Sequence, residues 1–343
     1  MQRTFSLVND VSSEPPVFDI GQAAHQGQRD YQEDAFSIVR PSDAQSDIYL
    51  LLADGMGGHA GGQAAASTAI KTARGLILSS TESNRPCTLK SIALAANDAV
   101  ASLHASRPEL SEAGCTFVVL RLRDNHIEWA SVGDSPLYLV SSGNLVRLNE
   151  DHSMTPVLDH LVATGQLSTE EAEEDPRRHA LRSALLGNSI PFLDTEADPV
   201  ELTAGEILLL ASDGIDTLGP DEICAIALAH KADMKGLACA IVDNVVGKDR
   251  ADQDNTTVLT LSQKKQSSES ETNEDSVLPL TETNSLKYRL KQGWFPIALL
   301  AILLTLTAVS IGYWWTRSSD TIENEQISPS SGSEFTPSMQ DSH

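Results

Sequence analysis

The feature that most restricts this chain is a repeated junction, an apolar run of strand length that stops at an aspartate. Leu50-Leu51-Leu52-Ala53 runs into Asp54-Gly55, and Leu208-Leu209-Leu210-Ala211-Ser212 runs into Asp213-Gly214. Ala130-Ser131-Val132-Gly133 runs into Asp134, and Asp254-Asn255 precedes Thr256-Thr257-Val258-Leu259. Short apolar runs of this kind read as buried strands. A single Asp-Gly after a strand is an ordinary turn. Four aspartates at strand ends, with Glu33-Asp34 in addition, gather carboxylates that repel one another unless a cation neutralises them. Oxygen ligands without thiolates or clustered histidines select Mg2+ or Mn2+ over zinc or copper. Two such ions lower the pKa of a bridging water and clamp the oxygens of an in-line displacement at phosphorus.

Between these junctions the pattern alternates. Residues 64–78 and 89–103 are apolar at helical spacing, and residues 116–122, 126–132 and 137–140 are β-rich and joined by short turns. Ser168 with Glu171 has the spacing of a capping box. Residues 222–230 and 234–246 read as helices, and residues 207–211 and 256–261 as strands. Consecutive strands on short turns pair antiparallel, with the helices on the outer faces of the sheets. The Gly-rich stretch from Asp54 to Gly62 lacks the Lys-Ser/Thr ending of a phosphate-binding loop, which argues against a nucleotide site.

With 24 Lys+Arg against 48 Asp+Glu, the formal net charge of the 343 residues is −24. A phosphate backbone is repelled by such a surface, so nucleic acid is excluded as a general partner. Cys87, Cys115, Cys224 and Cys239 have no CxxC spacing and are expected as buried, reduced thiols. Residues 1–17 form a polar extension without a signal-peptide pattern. Residues 263–293 are a polar, acidic linker. Residues 294–315 are uncharged and long enough to cross a bilayer, with Trp294, Trp314 and Trp315 at the two ends. Lys287, Arg289 and Lys291 precede this segment and Arg317 alone follows it. The positive-inside rule then predicts one transmembrane helix of the inner membrane, with residues 1–290 cytoplasmic and the tail, 316–343, outside.

In order, the chain carries Arg29-Asp30-Tyr31-Gln32-Glu33-Asp34, Asp54-Gly55-Met56-Gly57-Gly58-His59, Gly114-Cys115-Thr116 and Val132-Gly133-Asp134-Ser135. Asp151-His152-Ser153, Ser212-Asp213-Gly214 and Asp254-Asn255-Thr256-Thr257 follow. Through these seven segments, over about residues 18–262, it resembles the bacterial metal-dependent type 2C protein serine/threonine phosphatases. The resemblance implies an α+β fold, a four-layer α-β-β-α sandwich of two antiparallel sheets flanked by helices. It implies two Mn2+ or Mg2+ ions bridged by Asp54. Asp213 and Asp254 complete the first ion, the carbonyl of Gly55 binds the second, and Glu33 holds the second ion's waters. Asp34 and Asn255 support these ligands, and Arg29 clamps the phosphate. A third ion falls to Asp134 with Asp213. The implied substrates are phosphorylated proteins, with a Ser/Thr kinase of the same cell as counterpart.

Some positions depart from the family pattern. Gln32 stands where Asn is frequent, and Pro136 replaces the Arg of the Gly-Asp-Ser-Arg motif, which removes a salt bridge near Asp134. Met56 occupies the place of a histidine that serves eukaryotic relatives as general acid. His59, three residues on, is read as shaping the loop, with proton donation as its alternative role. His152 and His25 are read as structural hydrogen-bonders. Residues 154–192 correspond to a mobile flap, in which Arg177-Arg178-His179 either tune phosphopeptide recognition or form a solvated charged face. Two alternatives accompany the phosphatase reading: a pseudophosphatase that only binds phosphoproteins, and a metal-dependent hydrolase of small phosphates.

Overall fold

A strand covered on both faces has no position for a polar side chain, and residues 48–53 are built that way. In the computed structural model Leu50 and Leu52 pack on one side of this strand, while Tyr49, Leu51 and Ala53 pack on the other. Burying each leucine contributes about 2 kcal/mol, so an uninterrupted apolar run is the stable choice where two layers meet a sheet. The structure describes residues 17–41, 47–58, 60–82, 87–195 and 199–264. The expectations for residues 1–16, for His59, and for the linker, transmembrane helix and tail beyond residue 264 lie outside the described residues.

Among the described residues the chain runs β1 (Phe18–His25), β2 (Ala35–Val39), β3 (Ile48–Ala53), β4 (Gly55–Met56), α1 (Ala60–Glu82), α2 (Leu89–Ser106), β5 (Gly114–Cys115), β6 (Phe117–Arg123), β7 (His126–Val132), β8 (Leu137–Ser141) and β9 (Asn144–Arg147). It continues through α3 (Thr155–Ala163), α4 (Thr169–Glu173), β10 (Asp194–Thr195), β11 (Val200–Glu201), β12 (Ile207–Ala211), α5 (Pro220–Ala229), α6 (Met234–Gly247) and β13 (Thr256–Gln263). One sheet has the order β1-β13-β12-β8-β9; the other has β10-β7-β6-β3-β2, with β11 also on β7. The strand pairs within both sheets are antiparallel. Ser142 and Gly143 both take positive φ (51° and 78°) in the tight turn from β8 to β9.

Three apolar clusters define four layers. Leu50, Leu120, Leu208 and Leu259 meet between the sheets. Helices α1 and α2 cover the outer face of the second sheet through Ala66, Ala69, Ile92 and Ala96. Helices α5 and α6 cover the first through Ile223, Leu237 and Ile241. This is the expected α-β-β-α sandwich. The capping box also forms: Ser168 and Glu171 bond reciprocally at the start of α4.

The structure corrects the expectation for the cysteines and one segment boundary. All four cysteines are free, but only Cys115 and Cys224 are buried; Cys239 is exposed, because it faces outward from the outer helix α6. Strand β13 extends to Gln263, so the first residue of the expected linker belongs to the sheet. Within residues 154–192, the second half is bonded to the body: Arg182 N–H donates to His152 O at 2.7 Å, and Cys115 and Leu185 exchange backbone hydrogen bonds. Among the described residues, which do not include the expected span 294–315, no helix is long and apolar enough to cross a membrane.

Candidate active site

Strand register brings the sequence-separated acidic residues to one end of the sandwich. His25 pairs with Thr256, so the loop after β1, with Arg29 and Glu33, lies beside Asp254 and Asn255 at the start of β13. Ala211 pairs with Val258, which puts Asp213 at the same end. Ala53 pairs with Ala35, placing Asp54 beside Glu33-Asp34. Val132 pairs with Phe117, so Asp134 follows β7 at this end too. A cleft of about 780 Å³ results, lined by Arg29, Glu33, Asp54, Asp134, Asp213 and Asp254 among others.

Backbone and amide contacts hold these groups in place. Asp54 N–H donates to Thr116 Oγ1 at 2.9 Å, and Thr116 N–H donates to the Asp54 carbonyl at 2.9 Å. Asn255 accepts the Glu33 N–H at 2.7 Å and donates to the carbonyls of Gln26 and Tyr31, tying the Arg29–Glu33 loop to β13. The departure at Gln32 is accommodated, since its Oε1 accepts the Asp34 N–H at 3.0 Å. Asp34 Oδ2 accepts the hydroxyls of Ser212 (2.8 Å) and Thr257 (2.7 Å), which joins the ends of β12 and β13 to the start of β2. Its buried Oδ1 has no hydrogen-bond partner among the described residues. His152 Nδ1 accepts Gly133 N–H and His25 Nδ1 accepts Gly27 N–H, the structural role expected of both.

The electrostatics are those of crowded, buried acid groups. Burial first, and then the charges of Asp213, Asp34, Asp134 and Asp254, push the Asp54 carboxyl well above the usual carboxylate range. Burial and Asp254 raise Asp213, which shares a side-chain hydrogen bond with Asp54. Burial, followed by Asp213 and Asp151, takes Asp134 to about 8. Asp34 rises to about 7, again mainly by burial, although the Thr257 and Ser212 hydroxyls pull it down. Such a set of oxygen donors has surplus negative charge that a hard divalent cation offsets, and it contains neither thiolate nor histidine. The chemistry of the donors therefore fits Mn2+ or Mg2+. Among the described residues no three His, Cys, Asp or Glu side chains already converge in metal-ligand geometry. Instead Arg29 holds Asp254, Nη2 to Oδ2 at 2.5 Å.

Three residues in or beside the cleft were not singled out by sequence. Asp216 is raised to about 6 by burial and by Asp213. Its signal was the i, i+3 spacing from Asp213, which one short helical turn (Asp213–Thr217) converts into proximity. Arg147 donates to the Asp134 carbonyl and to Asp151, and so supplies near Asp134 the guanidinium that Pro136 removes. Arg182 lines the cleft together with His179. Of the expected flap cations, Arg177 and Arg178 are occupied by Asp175 and Asp159.

Comparison with known proteins agrees with this geometry. A family profile described as protein phosphatase 2C matches residues 21–259. The serine/threonine protein phosphatase PstP of Mycobacterium tuberculosis is 32% identical over 180 residues, covering 52% of this chain and 34% of that protein. The chain therefore spans about a third of the length of that curated relative. The serine/threonine phosphatase stp of Listeria welshimeri is 29% identical over 238 residues, covering 67% of this chain and 90% of its own. Among solved structures, the PstP catalytic domain in complex with two manganese ions superposes with a TM-score of 0.57 at 25% identity, covering 72% of this chain and 99% of that one. With the profile matched across most of its length and the sandwich in place, the chain belongs to the protein phosphatase 2C family.

Proposed function

We propose that this chain is a metal-dependent protein phosphatase that hydrolyses phosphoserine and phosphothreonine on proteins, using Mn2+ or Mg2+. The observation that carries the reading is that Asp54, Asp213 and Asp254, from strand ends of both sheets, line one cleft with the guanidinium of Arg29. Asp54 would lie between two ions, Asp213 and Asp254 with the first, and the Gly55 carbonyl and Glu33 with the second. Asp134 with Asp213 would serve a third. Bound ions of this kind lower the pKa of coordinated water and neutralise phosphoryl oxygens.

The chain's own residues do the rest. Arg29, more than half exposed, presents a planar fork that matches two phosphate oxygens, and the Asp254 carboxylate holds it over the cleft. Asn255 fixes the loop that carries Arg29 and Glu33. Asp34 holds Ser212, next to Asp213, and Thr257, two residues after Asn255, so three strand ends keep one spacing. An open, polar cleft of about 780 Å³ accommodates a side chain presented by another protein.

The apolar segment 294–315, with Lys287, Arg289 and Lys291 before it, supports a membrane tether with the catalytic domain on the cytoplasmic side. Targets of a Ser/Thr kinase in the same cell are the expected substrates. The test is turnover of phosphothreonine peptide, aryl phosphate and nucleotides by the full-length chain with Mn2+. Asp54→Asn and Asp213→Asn are expected to abolish it, and full activity in EDTA overturns the metal-dependent reading. Preference for nucleotides would move the chain to the small-phosphate hydrolases.

A further inference from the structure

Arg182 is the flap cation whose position the reaction at phosphorus does not explain. Its neighbours are committed: Arg177 pairs with Asp175 at 2.7 Å and Arg178 with Asp159 at 3.1 Å. Among the described residues Arg182 has no carboxylate partner. Its guanidinium carbon lies 4.5 Å from the centroid of the Phe192 ring.

The support under this pair is rigid. Arg182 N–H donates to His152 O at 2.7 Å. Ser183 Oγ donates to the Phe192 carbonyl at 2.7 Å and accepts the Phe192 N–H at 3.1 Å. Phe192 is 41% exposed, and its ring centroid lies 5.9 Å from that of the His152 ring. Stacking on an aromatic face fixes the plane of a guanidinium and leaves its N–H edges free for a carboxylate or phosphate. The entropy of ordering a long side chain is thereby largely spent before a ligand arrives.

The location gives this fork a use. Arg182 lines the same cleft as Asp54 and Asp213, which is otherwise rich in acid groups, on a chain of net charge −24. A peptide with negative charge beside its phosphorylated residue meets repulsion along most of that wall. An uncommitted, prepositioned cation reverses the sign at one point.

We propose that Arg182, held on Phe192, is a specificity residue that receives an anionic group, a carboxylate or a second phosphate, next to the phosphorylated residue of the substrate. The proposal rests on the phosphatase reading for the reaction itself, but its binding arm does not require turnover. The probes are phosphothreonine peptides that differ at one flanking position, carrying Glu, a second phosphothreonine, Ala or Lys. kcat and KM with Mn2+, and binding by fluorescence anisotropy, are measured on the full-length wild type, Arg182→Gln and Arg182→Glu, with aryl phosphate as a substrate that has no flanking residue.

The wild type is expected to favour the anionic peptides over Ala by about fivefold, carried in KM, the scale of one partly exposed ion pair. Arg182→Gln brings that ratio close to one while aryl phosphate turnover changes far less, and Arg182→Glu favours Lys. Preference for the second phosphate alone identifies phosphate as the source of the anion, and equal preference for Glu identifies charge alone. A wild-type preference that survives in Arg182→Gln, no preference in the wild type, or an equal loss on aryl phosphate overturns the proposal. Binding that depends on Arg182 without hydrolysis of any substrate overturns the phosphatase reading and leaves the subsite standing.

Discussion

Arg147 Nη2 donates to the carbonyl oxygen of Asp134 across 2.6 Å, and its Nη1 reaches Asp151 at 3.0 Å. Arg147 ends β9 opposite Tyr138 of β8, so this guanidinium approaches the Asp134 loop from the neighbouring strand. It stands in for the arginine that Pro136 displaces. Arg147→Met strips a charged donor from two acceptors in a largely buried setting, which costs about 1–3 kcal/mol. Urea denaturation is expected to show that loss, and a Mn2+ titration of aryl-phosphate turnover is expected to shift to higher concentration. Arg147→Lys recovers only part of either, since one ammonium cannot span both acceptors. Superimposable Mn2+ curves for wild type and Arg147→Met would confine Arg147 to the fold.

A methyl group on Gly62 would stand 2.6 Å from Glu33 Oε2 and 2.8 Å from the Gly55 carbonyl carbon. Backbone cannot step aside cheaply, so Gly62→Ala is expected to destabilise by about 1–3 kcal/mol and to displace the Glu33 carboxylate. Gly75 is an internal control of opposite sign: it lies inside α1 with nothing within 4 Å of an added methyl. There Gly→Ala stabilises by about 0.5–1 kcal/mol through helix propensity. Thermal midpoints of the two variants check both signs, and activity should fall in Gly62→Ala alone.

Strands β3 and β12 were legible because both their faces are buried, which leaves an unbroken apolar run ending at the aspartate. Strand β1 was not. Phe18–His25 contains Gly21, Ala23 and Ala24, weak strand formers, and owes its state to pairing with β13 along its whole length. Gly21 there admits α6, since an added methyl would lie 2.0 Å from the Met234 carbonyl oxygen. The aspartates of the site stood at strand ends and were visible for that reason. Arg147 and Arg182 were not, because their importance depends on which strand lies next to which and on which way a side chain stacks. Those are tertiary facts without a local pattern.

Asp47 sets a pH dependence away from the site. Burial favours its neutral form, but two hydrogen bonds from Arg123, each 2.7 Å, and that residue's charge outweigh burial and hold the carboxyl below its usual range. A depressed folded-state pKa means the contribution is fully present above the unfolded value, near 3.8, and is lost as pH falls through the folded value. Asp47→Asn is therefore expected to cost about 1–2 kcal/mol at pH 6–8, discounted for the half-exposed Arg123. The difference from wild type should shrink below about pH 4. Chemical denaturation across that range checks it; a gap that widens in acid would contradict the assignment.

Divalent metal should stabilise the fold through the same carboxylates that make the site. Asp54, Asp134 and Asp213 are each raised by burial and by the charge of neighbouring carboxylates (Asp213 foremost for Asp54 and Asp134, Asp254 for Asp213), so the folded chain holds repulsion that the unfolded chain does not. A cation that relieves it binds the native state selectively and stabilises it by RT ln(1 + [L]/Kd), about 2.7 kcal/mol at a hundredfold excess over Kd. Titration with Mn2+ should raise the thermal midpoint by several degrees, EDTA should reverse it, and Asp213→Asn should remove most of the shift while folding remains cooperative. Asp54→Asn separates the two contributions. It relieves repulsion without metal, so its midpoint in EDTA should lie at or above that of the wild type and respond little to Mn2+. A wild-type midpoint indifferent to millimolar Mn2+ would leave these carboxylates without the ions assigned to them.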